Sequence, residues 1–111
     1  MEKPVKGDVV VLPFPFSDLS SSKRRPALVL ADAGGSDLIL CQITSDAKRD
    51  GDAISITTGD FSEGSLEIDS MARPNKLFTA NRSLVLYRAG SLVEAKIKEI
   101  ERKLVGILTR R

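Results

Sequence analysis

The sequence predicts a mainly β fold closed by one C-terminal helix, and three observations carry that expectation. Short apolar runs rich in β-branched residues recur from Val9 to Tyr87. Glycine, proline and serine clusters punctuate them. Only from Ser91 onward does the spacing of apolar residues change to a helical one.

Val9–Leu12 follows Gly7-Asp8 and predicts the first strand; Pro13 and Pro15 are expected to break it, leaving Ser17 to Lys23 as a polar loop. Ala27–Ala31 and Leu38–Thr44 predict the second and third strands. Ala33-Gly34-Gly35-Ser36 between them is a turn signal, since paired glycines tolerate the positive φ that tight hairpins need. Asp46–Asp52 reads as a solvated charged loop, because its aspartates fit no calcium-loop spacing and Lys48 and Arg49 interrupt them. Ala53–Thr57 predicts a fourth strand, and Gly64–Ile68, Leu77–Thr79 and Leu84–Tyr87 further short ones. Ser91 is a natural N-cap, with Glu94 completing a capping box. Val93, Ile97, Ile100, Leu104, Ile107 and Leu108 then form one apolar stripe, read as core rather than as a partner surface, and Lys and Arg fill the opposite face and the last turn. A bent sheet of about five to seven short strands curls into a small barrel, so one domain over residues 1–111 is expected.

Composition narrows the chemistry. The chain has 111 residues and a net charge of only +2, with 17 basic residues against 15 acidic. A nucleic-acid partner is therefore announced by local patches, not by the bulk field: Lys23, Arg24 and Arg25 are consecutive, and Arg73, Lys76 and Arg82 lie close together. There is no histidine. That removes Ser-His triads, histidine-pair nuclease chemistry and most metal sites, so no metal or cofactor is expected, and catalysis must rest on Arg, Lys, carboxylates, hydroxyls or the backbone. Cys41, the single cysteine, lies in an apolar run and reads as a buried small hydrophobe in a reducing compartment. No stretch approaches the ~20 apolar residues of a membrane span, and the N-terminal residues show no apolar signal region. A cytoplasmic protein with no membrane contact is expected.

One hairpin gathers candidate chemistry. A two-residue turn at Gly34-Gly35 places Val29 opposite Leu40 and Arg25 opposite Thr44, with Gln42 on the same face. A slip of one residue would break this pairing. Arginine offers a planar fork of donors matched to phosphate oxygens, and threonine a hydroxyl that donates and accepts. Together they suit a phosphodiester whose negative charge grows during reaction. RNA supplies its own nucleophile, the 2′-hydroxyl, so such a site needs no metal and leaves a 2′,3′-cyclic phosphate and a 5′-hydroxyl. The plain structural alternative is a solvated edge arginine and a threonine placed by β-propensity.

Lys6-Gly7-Asp8-Val9-Val10, Lys23-Arg24-Arg25-Pro26-Ala27-Leu28-Val29-Leu30 and Cys41-Gln42-Ile43-Thr44-Ser45, in that order, resemble the N-terminal signatures of the MazF/PemK toxins. Ser65–Arg73 and Lys76-Leu77-Phe78-Thr79 resemble that family's later block. The resemblance implies an SH3-like barrel of the CcdB/PemK type, a homodimer, and cleavage of single-stranded RNA at a short sequence. It also implies growth inhibition through translation, and a cognate antitoxin whose disordered segment fills the RNA groove; DNA is reached only through the antitoxin complex. It makes Arg25 and Thr44 the catalytic pair. One departure matters: Ser70-Met71 stands where some members carry Glu-Gln before the later Arg, so their base preference does not carry over.

Other residues have two readings each. Phe14 and Phe16 either stack on bases or plug the barrel end. Ser20, among Ser20-Ser21-Ser22, either touches phosphate or keeps its loop flexible. Lys23 and Arg24 either position phosphates or solubilise a loop. Gln42 and Arg73 are further expected substrate contacts, Arg73 alternatively an interface residue. Glu67 and Asp69 are candidate bases against a reading as solvated strand carboxylates. Two competing functions remain: a CcdB-like toxin that poisons DNA gyrase by binding, and a non-catalytic SH3-like RNA-binding module.

Overall fold

The computed structural model describes residues 3–14, 23–46 and 49–111. Seven antiparallel strands form one sheet: β1 (Asp8–Phe14), β2 (Lys23–Gly34), β3 (Asp37–Thr44), β4 (Ile54–Ile56), β5 (Phe61–Gly64), β6 (Ser70–Asn81) and β7 (Tyr87–Leu92). They run in the order β4-β6-β3-β2-β1-β7-β5, and the helix α1 (Glu94–Thr109) follows. The mainly β class with a terminal helix is the one expected. The sheet curls into a half-barrel whose edges, β4 and β5, stay open.

The central strands are apolar on both faces because both faces are buried. Val9, Leu28, Cys41 and Ile43 join one cluster with Ile54, Ile56, Ala72, Leu92 and Ile100 of α1. Val10, Leu12, Ala27, Val29, Leu38 and Leu40 point the other way, into a second cluster with Ala80 and Val85, against which Phe78 packs. Continuous apolar runs, not clean alternation, are the mark of such doubly covered strands.

The hairpin reaches its expected register by an unexpected route. The turn is Gly35-Ser36, one residue later than expected, with Gly34 paired to Asp37 and positive φ at Gly34 and Gly35 (98° and 55°). Two bulges follow, between Asp32 and Gly34 and between Val29 and Ala31. Each takes one extra residue into β2. Their sum cancels the displaced turn, so Val29 still faces Leu40 and Ala27 faces Gln42.

Other boundaries differ for local reasons. Pro13 does not end β1. The Leu86 amide donates to the Val11 carbonyl (2.8 Å), so Val11 directs its backbone toward β7, and Pro13 does the same beyond the last pair on that side, Val11–Tyr87. Its missing N–H loses no ladder bond there. The expected strand at Gly64–Ile68 lies earlier, at Phe61–Gly64: Phe61 packs on the first cluster, and Gly64, at φ 69°, is pressed so closely on the Ala89-Gly90 backbone that no Cβ fits. Leu77–Thr79 is the end of a much longer β6, hidden in sequence by Pro74-Asn75-Lys76, which bulge out between the pairs Gln42–Arg73 and Cys41–Leu77. Residues Arg82–Leu84 make a 3-10 turn, held by the Ser83 amide donating to the Asn81 side chain, and the last strand starts only at Tyr87.

The helix begins without the expected capping box. Val93 is its N-cap and makes no side-chain cap bond. Ser91 lies instead in β7, where its hydroxyl donates to Asp8 Oδ1 (2.6 Å). No basic residue occupies the last turn either; Arg110 stands just past it as the C-cap. Of the apolar stripe, Ile100 is fully buried and Ile97 packs half-buried on the first cluster, whereas Leu108 is 67% exposed.

Two outcomes follow from this core. Ile100→Ala is expected to lower unfolding free energy by about 2–5 kcal/mol, the range for emptying a filled aliphatic site, as read from urea unfolding. Burial pushes the Cys41 thiol up to about 12. Thiol reagents at pH 8 should therefore label the protein only as fast as it unfolds, and rapid stoichiometric labelling of the native protein would contradict this placement.

Candidate functional site

β2 and β3 share a ladder as far as Ala27–Gln42 and then part. The first residues of β2 pair with β1 (Pro26 with Val11, Arg25 with Leu12), while Ile43 and Thr44 at the end of β3 pair with Ala72 and Met71 of β6. A notch opens between the two strands, with Arg25 on one lip and Thr44 on the other. The direct pairing expected for these two stops two residues short of them, but they and Gln42 wall the same cavity, of about 420 Å³.

The alternation of β2 sends Lys23 and Arg25 into this cavity. Leu12, Phe14 and Phe78 give it an apolar floor, the two phenyl rings tilted at 52° with centroids 5.9 Å apart. Among the described residues that line it there is no carboxylate, so two cations face the space unopposed. The Thr44 hydroxyl accepts the Asp46 amide at 3.1 Å and lies 3.4 Å from the Asp46 carbonyl, which fixes the side chain at the strand end. A fork of donors, a hydroxyl and an amide side chain above an apolar floor can hold a phosphate and a flanking base.

The other expected contacts divide. Phe14, Lys23 and Gln42 line the cavity; Phe16 and Ser20 lie outside the described residues. Arg24 belongs to the opposite face of the sheet, where Glu67 also lies; Asp69 is exposed and lines neither space. Arg73 stands opposite Gln42 on β6 but does not reach the cavity. Its Nε donates to Asp50 Oδ2 at 2.7 Å. Asp50, expected to be solvated, has a side chain only 8% exposed and also accepts the Asp52 amide (2.9 Å). Asp52 in turn accepts both terminal nitrogens of Arg110 at 3.0 Å. The charged loop after Thr44 is thus clamped to β6 and to the end of α1. Phe78 also lines the cavity, and the sequence does not mark it: its segment reads as a weak strand and nothing in it shows which face it presents.

A family model for PemK-like, MazF-like toxins of type II toxin–antitoxin systems matches residues 5–108. The chain belongs to this family. Similar solved structures include a MazE–MazF complex from Deinococcus radiodurans, at 22% identity and TM-score 0.78, covering 99% of this chain and 100% of that one. A mycobacterial endoribonuclease in complex with its cognate antitoxin is 15% identical with TM-score 0.74, covering 100% and 98%. A second mycobacterial endoribonuclease structure is 15% identical with TM-score 0.73, covering 97% and 93%. At these identities the likeness shows the fold. No curated protein matches the chain. In this PemK/MazF-like toxin the Arg25-Pro26 and Ile43-Thr44 motifs, which carried the resemblance in sequence, end up on the two lips of the notch.

The Asp50 clamp has a pH signature. Arg73 beside it holds the Asp50 carboxyl below the usual carboxylate range, against an opposing push from burial. A depressed folded-state pKa contributes stability that is complete above the ordinary carboxylate range and is lost as pH falls through the depressed value. Asp50→Asn should lower stability at pH 7 by about 1–3 kcal/mol and flatten the acid-side fall below about pH 4. Equal acid slopes in both proteins would show that this pair carries none of the linkage.

Proposed function

We propose that this protein is the endoribonuclease toxin of a type II toxin–antitoxin system, cutting single-stranded RNA without a metal ion at the Arg25–Thr44 notch. The observation that carries the reading is the cavity lined by Lys23 and Arg25, with no carboxylate among the described residues that wall it, and with Arg25 on one lip and Thr44 on the other. Family membership and the endoribonuclease activity ascribed to its structural neighbours support it.

In this reading the 2′-oxygen attacks the adjacent phosphorus, and a P–O2′ bond forms as the P–O5′ bond breaks. The 2′-hydroxyl proton leaves to solvent and the departing 5′-oxygen gains one, giving a 2′,3′-cyclic phosphate and a 5′-hydroxyl. Arg25 forks onto the non-bridging oxygens, where charge accumulates. The Thr44 hydroxyl donates to one phosphate oxygen and holds the group in line. Phe14 and Gln42 hold the neighbouring base, and Lys23 adds charge. Cleavage of messenger RNA then stops translation and growth. An antitoxin is the proposed partner, on the strength of neighbours solved with theirs. The working unit is proposed as a cytoplasmic homodimer that meets DNA only through the antitoxin.

Purified protein incubated with single-stranded RNA in EDTA should leave 5′-hydroxyl ends. Arg25→Ala should lose about 10²–10³-fold in rate and Thr44→Ala about tenfold or more, the scale for removing donors aimed at developing charge. Undiminished cleavage by both variants would remove these residues from the chemistry. Absence of cleavage across varied RNAs would leave a binding function.

A further inference from the structure

A second groove, of about 590 Å³, lies on the opposite face of the sheet and meets the first cavity at the notch. Arg25, Pro26, Ile43 and Thr44 line both. Resting on the endoribonuclease reading, we propose that this groove is a second RNA subsite: the substrate strand passes through the notch, with the nucleotides on one side of the scissile phosphate in the first cavity and those on the other side against Tyr87 and Arg24.

An endonuclease cuts inside a chain, so it must accommodate nucleotides on both sides of the phosphate it attacks. In this proposal the first cavity, of about 420 Å³, takes one side. The notch offers the other side a way out, because the β2–β3 ladder has already ended at Ala27–Gln42 and no strand among the described residues closes the gap between Arg25 and Thr44.

The basic triplet follows the same division. Strand alternation turns Lys23 into the first cavity and Arg24 into the second groove, while Arg25 at the notch lines both. A run of three cations that would be redundant on one face thus supplies phosphate contacts on each side of the cleavage point.

The groove also has a surface for a base. Tyr87 is 50% exposed and Ile68 65% exposed, an aromatic face and an apolar neighbour open to solvent. Base–aromatic stacking is sequence-tolerant, since every base has a π-face. Arg88 also lines the groove, but it is engaged by Glu63, by Asp8 and by the Ser91 hydroxyl (2.7 Å), so it braces the wall under Tyr87. Glu67 at the groove repels phosphate and sets the backbone toward the Arg24 end.

The test uses the full-length toxin and an RNA that wild type cuts, shortened stepwise from either end. Wild type should gain from extension on both sides. Tyr87→Leu and Arg24→Ala should each raise KM about tenfold for RNAs extended on one side, with kcat unchanged and no effect once that side is removed. Tyr87→Phe, which keeps the ring, should behave as wild type. A 2′-deoxy, uncleavable version carrying 5-iodouridine on that side should photocrosslink to Tyr87. The proposal is overturned if the Tyr87 and Arg24 variants respond equally to every length, or if crosslinks from both flanks fall on Phe14 and Phe78. Either result with cleavage still dependent on Arg25 and Thr44 leaves the activity assigned to the notch standing. Cleavage indifferent to Arg25 and Thr44 would sink that assignment instead.

Discussion

Both faces of β1, β2 and β3 are buried, and this constraint decides where polar chemistry can reside. Val9 and Val10 point into different clusters, as do Leu28 and Val29, so the middle of the sheet offers no place for a charged side chain without a buried partner. Charge is pushed to the strand ends, where the covering layers stop. Lys23, Arg24 and Arg25 begin β2, and Thr44 ends β3. The parting of the two strands at that end is part of the same arrangement: each lip keeps one paired neighbour, β1 or β6, although the notch between them is open.

Much of this was legible in the chain. The apolar runs at Val9–Leu12, Ala27–Ala31 and Leu38–Thr44 are strands because burial on both faces leaves an unbroken signal. The helix stripe through Ile100 is read just as easily. What misled was local competition between polar groups. Ser91 looks like a cap, yet its hydroxyl is claimed by Asp8 across the β1–β7 pair, a partner far away in sequence. Asp50 looks solvated among charged neighbours, yet Arg73 reaches it from β6. Pro74-Asn75-Lys76 looks like the end of a strand and is a bulge within one. In each case the deciding partner lies on another element, beyond the reach of periodicity.

The candidate site divides along the same line. Arg25, Thr44 and Gln42 could be grouped from one hairpin, because hairpin partners are fixed by the turn and its register. Arg73 could not be placed, because its position depends on the β3–β6 pairing and its side chain on the loop after Thr44. Phe78 and Tyr87 come from β6 and β7, and no local pattern says that one will floor the first cavity and the other the second groove. The clamp of Asp50 and Asp52 on Arg73 and Arg110 shows the same dependence: it ties the segment next to Thr44 to the far end of the chain.

The two bulges in β2 carry a further consequence. They make the tip of the hairpin, where Lys3 bridges Asp32 (2.6 Å) and the Gly35 carbonyl (2.8 Å), independent of the end that holds Arg25. A residue gained or lost at the tip can be absorbed as one bulge more or fewer, without turning a single side chain of the notch to the wrong face. The tip is a slack segment in an otherwise taut ribbon. Its length can therefore change without altering the spacing from Ala27 to Arg25, or from Gln42 to Thr44.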